Sequence, residues 1–237
     1  TVREKRSEDA DICEKIGNAY CGLEDFAEAA KFWNRAISYV SDDPQLHHKL
    51  GIAYSKLNKT QEAIFQWQKA IEIDSDHFEA HHNLGIAFYN LQRFDEALTE
   101  WEKSKALNPT DPDLYFKLGH AYRQKRKLDN AISCWKKTIE LDPNNPNTHF
   151  VLGNAYDEKG LIDDAILSWR KVVELAPNDV DAHNNLGIAY FQKNMFDQAI
   201  SEWEDAIRIT PENGELYNKL GIAYIKLELF DKAVECW

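Results

Sequence analysis

Apolar and small residues recur along this chain at a helical spacing over short stretches and in a 34-residue cycle over almost all of its length. Gly17, Gly51, Gly85, Gly119, Gly153, Gly187 and Gly221 stand 34 residues apart, and so do Trp33, Trp67, Trp101, Trp135, Trp169, Trp203 and Trp237. With the glycine numbered as position 8, repeats start at residues 10, 44, 78, 112, 146, 180 and 214. Alanine fills position 10, from Ala19 to Ala223, and position 20, from Ala29 to Ala233. Apolar residues fall at positions 4, 7, 8 and 11 and again at 17, 20, 21, 24, 27 and 28. This i, i+3, i+4, i+7 spacing, written twice, predicts two amphipathic helices in each repeat. Asp95, Asp129, Asp163, Asp197 and Asp231 mark the start of the second helix, where a helix N-terminus favours negative charge. Units close on pairs such as Asn108–Pro109 and Asp142–Pro143, because the residue before proline is pushed out of helical geometry.

The invariant columns have a packing reading. Glycine at position 8 and alanine at 10 and 20 let two helices approach closely, and tryptophan at 24 fills the space between them. A single hairpin cannot bury such a face, so neighbouring hairpins must stack and share a core. The chain resembles the tetratricopeptide repeat (TPR) family over residues 10–237, in period, glycine, both alanines, aromatics and terminal proline. It departs from the usual family pattern in two columns: Cys13, His47, His81, Tyr115, His149, His183 and Tyr217 occupy position 4, and tryptophan occupies position 24 throughout. The resemblance implies an all-α fold, a right-handed superhelical α-solenoid of antiparallel helix pairs whose first helices line a concave groove. Residues 1–9 form a separate charged N-terminal segment in this division of the chain.

With 40 acidic and 28 basic side chains the net charge is −12. That balance argues against general nucleic-acid binding, which draws on Lys and Arg to displace counterions. No apolar run approaches the roughly 20 residues that span a bilayer. The four cysteines are expected as free thiols: Cys13 and Cys21 are eight residues apart on one predicted helix, about 12 Å, beyond the reach of a disulfide. Free thiols favour a cytoplasmic over a periplasmic setting. The sequence opens on Thr1 and its seventh repeat stops at position 24, within the second helix, as expected of a piece of a longer polypeptide.

No nucleophile elbow, phosphate loop, dinucleotide fingerprint, zinc-protease motif or paired C-x-x-C is present, so neither catalysis nor a cofactor is expected. Adjacent His47–His48 and His81–His82 point about 100° apart on a helix, and neither pair chelates one ion through both rings. The position 4 histidines read as packing residues, and no metal site is expected. If His81, His149 and His183 are buried, desolvation opposes their protonation and acid should weaken the fold.

What remains is the first-helix surface. Position 6 carries Lys15, Lys49, Asn83, Lys117, Asn185 and Lys219, accompanied by Asn18, His48, His82, Tyr89, Phe116, His120, Phe150, Asn154, Asn184 and Asn218. Amides suit the backbone of an extended peptide, and aromatic residues its side chains. The bland alternative is that Asp11–Lys15, Asp113–Lys117 and Glu215–Lys219 are i, i+4 pairs on a solvated face. The expected function is a non-catalytic protein interaction scaffold that grips a peptide or helix of a partner. The lysines point to a partner carrying Asp, Glu or a free C-terminus. The rival functional readings are a targeting or regulatory arm of a longer enzyme or assembly protein, and a self-associating scaffold using Phe230, Val234 and Trp237. Some TPR proteins clamp a C-terminal carboxylate with Lys at position 5, Asn at 9, Asn at 6 in the next repeat and cations at 2 and 6 after that. Here Asn154, Asn185 and Lys219 match while Phe150 and Glu215 do not, so that clamp is not carried over.

Overall fold

The structure is a computed structural model that describes residues 2–237, with side chains from residue 6 onward. It is all-α, and the described residues form 14 helices. First helices are α1 (Val2–Gly22), α3 (Pro44–Lys56), α5 (Phe78–Asn90), α7 (Pro112–Gln124), α9 (Pro146–Glu158), α11 (Val180–Gln192) and α13 (Gly214–Lys226). Second helices are α2 (Phe26–Tyr39), α4 (Thr60–Ile73), α6 (Phe94–Leu107), α8 (Leu128–Leu141), α10 (Ile162–Leu175), α12 (Phe196–Ile209) and α14 (Phe230–Cys236). Turns of three residues inside a repeat and four between repeats leave consecutive helices antiparallel. Helix α1 takes in residues 2–9 of the charged segment, while Thr1 lies outside the described residues.

The chain divides into two compact units, one ending at Arg126 and the other beginning at Lys127. In the first, α1 to α7 each pack on their chain neighbours; in the second, α8 to α14 do the same. Proline opens α3, α7 and α9, where its missing N–H costs nothing, and Asp43, Asp111 and Asn145 cap those helices through their side chains. Each first helix is followed, in the turn, by a residue in the left-handed region at position 15, from Glu24 at φ 59° to Glu228 at φ 61°. Only Gly160, at φ 73°, is the residue type that adopts this backbone without strain.

The glycine and tryptophan columns meet as the sequence predicts. A Cβ built on Gly85 would lie 2.3 Å from the Trp101 ring, and one on Gly51 would lie 2.4 Å from Trp67. Six tryptophans are almost wholly buried; Trp237 is 64% exposed, beside Phe230 at 60% and Val234 at 70%. All four cysteines are free, as expected.

The position 4 histidines are buried, and each spans from its helix to a loop. Nε2–H of His47, His81, His149 and His183 donates to the carbonyls of Ser41, Ser75, Pro143 and Pro177, six residues back in the preceding turn. The other ring nitrogen, Nδ1, faces Gln66 in the case of His47, Glu100 for His81 and Glu202 for His183. Burial pushes the Glu100 carboxyl up, but hydrogen bonds from His81 and Lys103 outweigh it and hold the group below its ordinary range.

Candidate functional site

Residues at positions 5, 6 and 9 of the first helices come together across successive repeats. In the first unit Lys49 donates to Glu14 at 2.6 Å, and the Asn83 amide meets His48 Nε2 at 2.9 Å. In the second unit Lys219 donates to the Asn184 oxygen at 2.9 Å. All three contacts join residues 35 apart, position 5 of one repeat to position 6 of the next. Lys49, Asn83 and Lys219 of the position 6 ladder thus link each repeat to the one before.

This arrangement changes the status of the lysines. Lys117 is paired with Asp113, and Lys219 reaches Glu215 at 2.6 Å, so two of the three i, i+4 pairs read from the sequence form. Lys49 is neutralised by Glu14, which the sequence reading did not single out. Lys15 and Asn18 are exposed on α1.

Several of the amides and aromatic residues have work inside the scaffold. The Asn18 oxygen accepts from Trp33 Nε1 at 3.3 Å, and the Asn154 oxygen accepts from Trp169 Nε1 at 3.0 Å and from Asn185 at 3.2 Å. The Asn218 oxygen accepts from Trp237 Nε1 at 3.2 Å. Where position 9 is Ile52 or Ile86, the tryptophan turns to a backbone carbonyl: Trp67 donates to that of His48 and Trp101 to that of His82. Tyr89 packs on Phe94 and Trp101, and Phe116 meets His120 edge to face at 4.5 Å between ring centres. Phe150 is half-buried against the cluster around Trp169. Tyr89, Phe116 and Phe150 are half-buried, because a large ring beside the Gly–Trp seam gains more from packing than from water.

Between α3 and α5 a cleft of about 420 Å³ remains open, lined by Ile52, Ile86, Asn83, Asn90, Lys56 and the edge of Trp67. Its lining mixes apolar side chains with amides, hydroxyls and a cation. Isoleucine stands at position 9 in these two repeats and again as Ile188 and Ile222, so the sequence alone does not single the cleft out.

Three histidines on the first unit's face titrate low. Burial, followed by the nearby His77, pushes His48 down from 6.5 to about 4. Burial, followed by Lys117, lowers His82, and burial, followed by Arg123, lowers His120. His77 caps α5, sits 4.8 Å from the His48 ring and is itself buried, a neighbour not legible from periodicity. Positions 5 and 9 thus contribute acid sensitivity on this face. A folded-state pKa below the unfolded value makes protonation favour unfolding, so the contribution is complete above pH 6.5 and is lost as pH falls towards 4. Discounted for the ring's partial exposure, His48 should contribute a loss on the order of 2 kcal/mol over that window. Chemical denaturation at pH 7 and pH 4.5 should show a smaller acid loss in His48→Asn, which borrows the residue found at position 5 in repeats 6 and 7. An equal loss in the variant would remove His48 from the account.

A sequence profile described as TPR repeat matches residues 17–58, 53–92, 88–125, 119–160, 153–194 and 189–228, and the chain belongs to that family. No curated protein sequence matches significantly. Among solved structures, the C-terminal part of a TPR repeat-containing protein from Cytophaga hutchinsonii superposes with a TM-score of 0.78 at 23% identity, over 89% of this chain and 87% of that one. YrrB, described as a TPR protein with an unusual peptide-binding site, gives 0.70 at 22% identity over 84% and 99%. MamA from Desulfovibrio magneticus gives 0.68 at 25% identity over 72% and 97%. These likenesses establish the fold, a TPR solenoid, in a family whose members generally mediate protein–protein interaction.

Proposed function

We propose that this TPR repeat chain is a non-catalytic interaction scaffold that holds an extended segment of a partner protein along its first-helix face. The observation that carries this reading is the cleft between α3 and α5. Ile52 and Ile86 in its lining offer apolar contact for a side chain, and Asn83 and Asn90 offer amides for the backbone beside it. The peptide-binding site attributed to YrrB supports the reading by likeness of fold alone. Paired lysines still guide a ligand, because an acidic segment can compete with Glu14 and Asp113 for Lys49 and Lys117.

A photo-crosslinking amino acid placed at Ile86, with a peptide selected against the full chain from a random library, tests this directly. Capture from Ile86 and none from Phe65, which is 54% exposed on the second helix α4, is the expected result. Capture from Phe65 alone would move the function to the second helices.

The exposure of Phe230, Val234 and Trp237 favours a second reading, self-association through that end. Sedimentation at rising concentration should show dimers that Trp237→Ser abolishes; a monomer throughout would dismiss it.

A further inference from the structure

In the second unit, one atom each from His183, Glu202 and Asp205 lies within 4.8 Å of the others, on α11 and α12. His183 is buried and the two carboxylates are half-buried. The imidazole is oriented from behind: its Nε2–H donates to the Pro177 carbonyl at 3.0 Å, which aims Nδ1 at Glu202, 2.7 Å away. A backbone carbonyl holding the far N–H while the near nitrogen faces carboxylates is the usual outer support of a metal-bound histidine. A cleft of about 500 Å³ lined by His183 and Asp205 gives access.

The repeats supply their own comparison. Repeat 3 has the same pair, His81 and Glu100, with Lys103 at 3.2 Å from the carboxylate supplying a positive charge. That position, 26, is basic in the first five repeats: Arg35, Lys69, Lys103, Lys137 and Lys171. In repeat 6 it is Asp205, which removes the side-chain cation and adds a second carboxylate, the third donor of the set. The present partner of Asp205 is Arg208, whose side chain is 76% exposed and leaves without disturbing the core.

We propose that His183, Glu202 and Asp205 bind a divalent transition-metal ion of the Zn²⁺ class, which displaces to solvent the proton shared by His183 Nδ1 and Glu202, with water completing the coordination. Metal–ligand bonds of about 2.0–2.2 Å put neighbouring donors roughly 3–4 Å apart, so rotations of the two carboxylate side chains suffice. One nitrogen and two carboxylates suit Zn²⁺ better than a hard ion such as Mg²⁺, which keeps most of its water. The sequence reading missed the set because its members lie 19 and 22 residues from His183, on different helices.

The test is calorimetric titration of the full chain with Zn²⁺ alone. One saturable site is expected, weakened at least 10-fold by Asp205→Lys and by His183→Tyr, and unaltered by His81→Tyr. Lys at position 26 and Tyr at position 4 both occur in other repeats, so the variants are compatible with the fold; Asp205→Asn serves if Asp205→Lys melts early. Co²⁺ spectra should show bands of a nitrogen and oxygen site. No saturable binding, affinity unchanged in Asp205→Lys or Asp205→Asn, or a thiolate-to-Co²⁺ charge-transfer band would overturn the assignment.

Discussion

Gly85→Ala is expected to destabilise the chain by about 2 kcal/mol, although alanine favours a helix over glycine by about 1 kcal/mol. The added methyl carbon would lie 2.3 Å from both Cδ1 and Nε1 of Trp101. That ring cannot retreat: it is 1% exposed, Tyr89 packs on it at 5.7 Å between ring centres, and Nε1 is held by the His82 carbonyl at 3.0 Å. Overpacking of this kind costs about 1–3 kcal/mol after relaxation, and a ring fixed on two sides belongs at the upper end. Gly214→Ala is the contrasting case, because nothing lies within 4 Å of its added methyl and the helix preference acts alone. Thermal unfolding should place the Gly85 variant several degrees below the parent and the Gly214 variant level with it or above. In a Trp101→Phe background the Gly85 penalty should shrink, since the smaller ring leaves room. A Gly85→Ala protein as stable as the parent would mean that the column glycines are not there to admit tryptophan.

The same contact explains how much of the fold was legible. Period, glycine and tryptophan columns and terminal prolines each act within one repeat or between its two helices, at separations that helical geometry alone determines. Their consequences, antiparallel pairs with a buried Gly85–Trp101 seam, are found as read. The candidate site was legible only in part, because its contacts depend on how far each repeat advances over the last. Lys49 and Lys117 could be placed on the first-helix face from their position, and Asp113 as the i, i+4 partner of Lys117, but not that Glu14, one repeat away, neutralises Lys49. Asn154 read equally well as a ligand amide; the structure gives its oxygen to Trp169 and Asn185. Loop ion pairs such as Lys125 with Asp95 and Lys193 with Asp163, 30 residues apart, were invisible for the same reason, and being exposed they add little to stability.

The second large effect is expected at the binding face. Lys49→Glu combined with Lys117→Glu places new carboxylates opposite Glu14 and Asp113, turning two neutral pairs into four acidic groups around Asn83. An acidic segment then loses its guide and meets repulsion along its whole path over the first unit. Affinity for the selected peptide should fall at least 10-fold, or about 1.4 kcal/mol. Stability should change by no more than about 1 kcal/mol, because both ion pairs are partly solvated. Lys69→Glu combined with Lys103→Glu makes the same change of net charge on the second helices α4 and α6, and so controls for the overall field. The decisive measurement is the affinity of one peptide for these two double variants side by side. A loss of 10-fold or more in Lys49→Glu with Lys117→Glu, and less than 3-fold in the control, is the predicted result. Unchanged affinity in the first pair with abolished binding in the second would contradict the account and assign the function to the second helices.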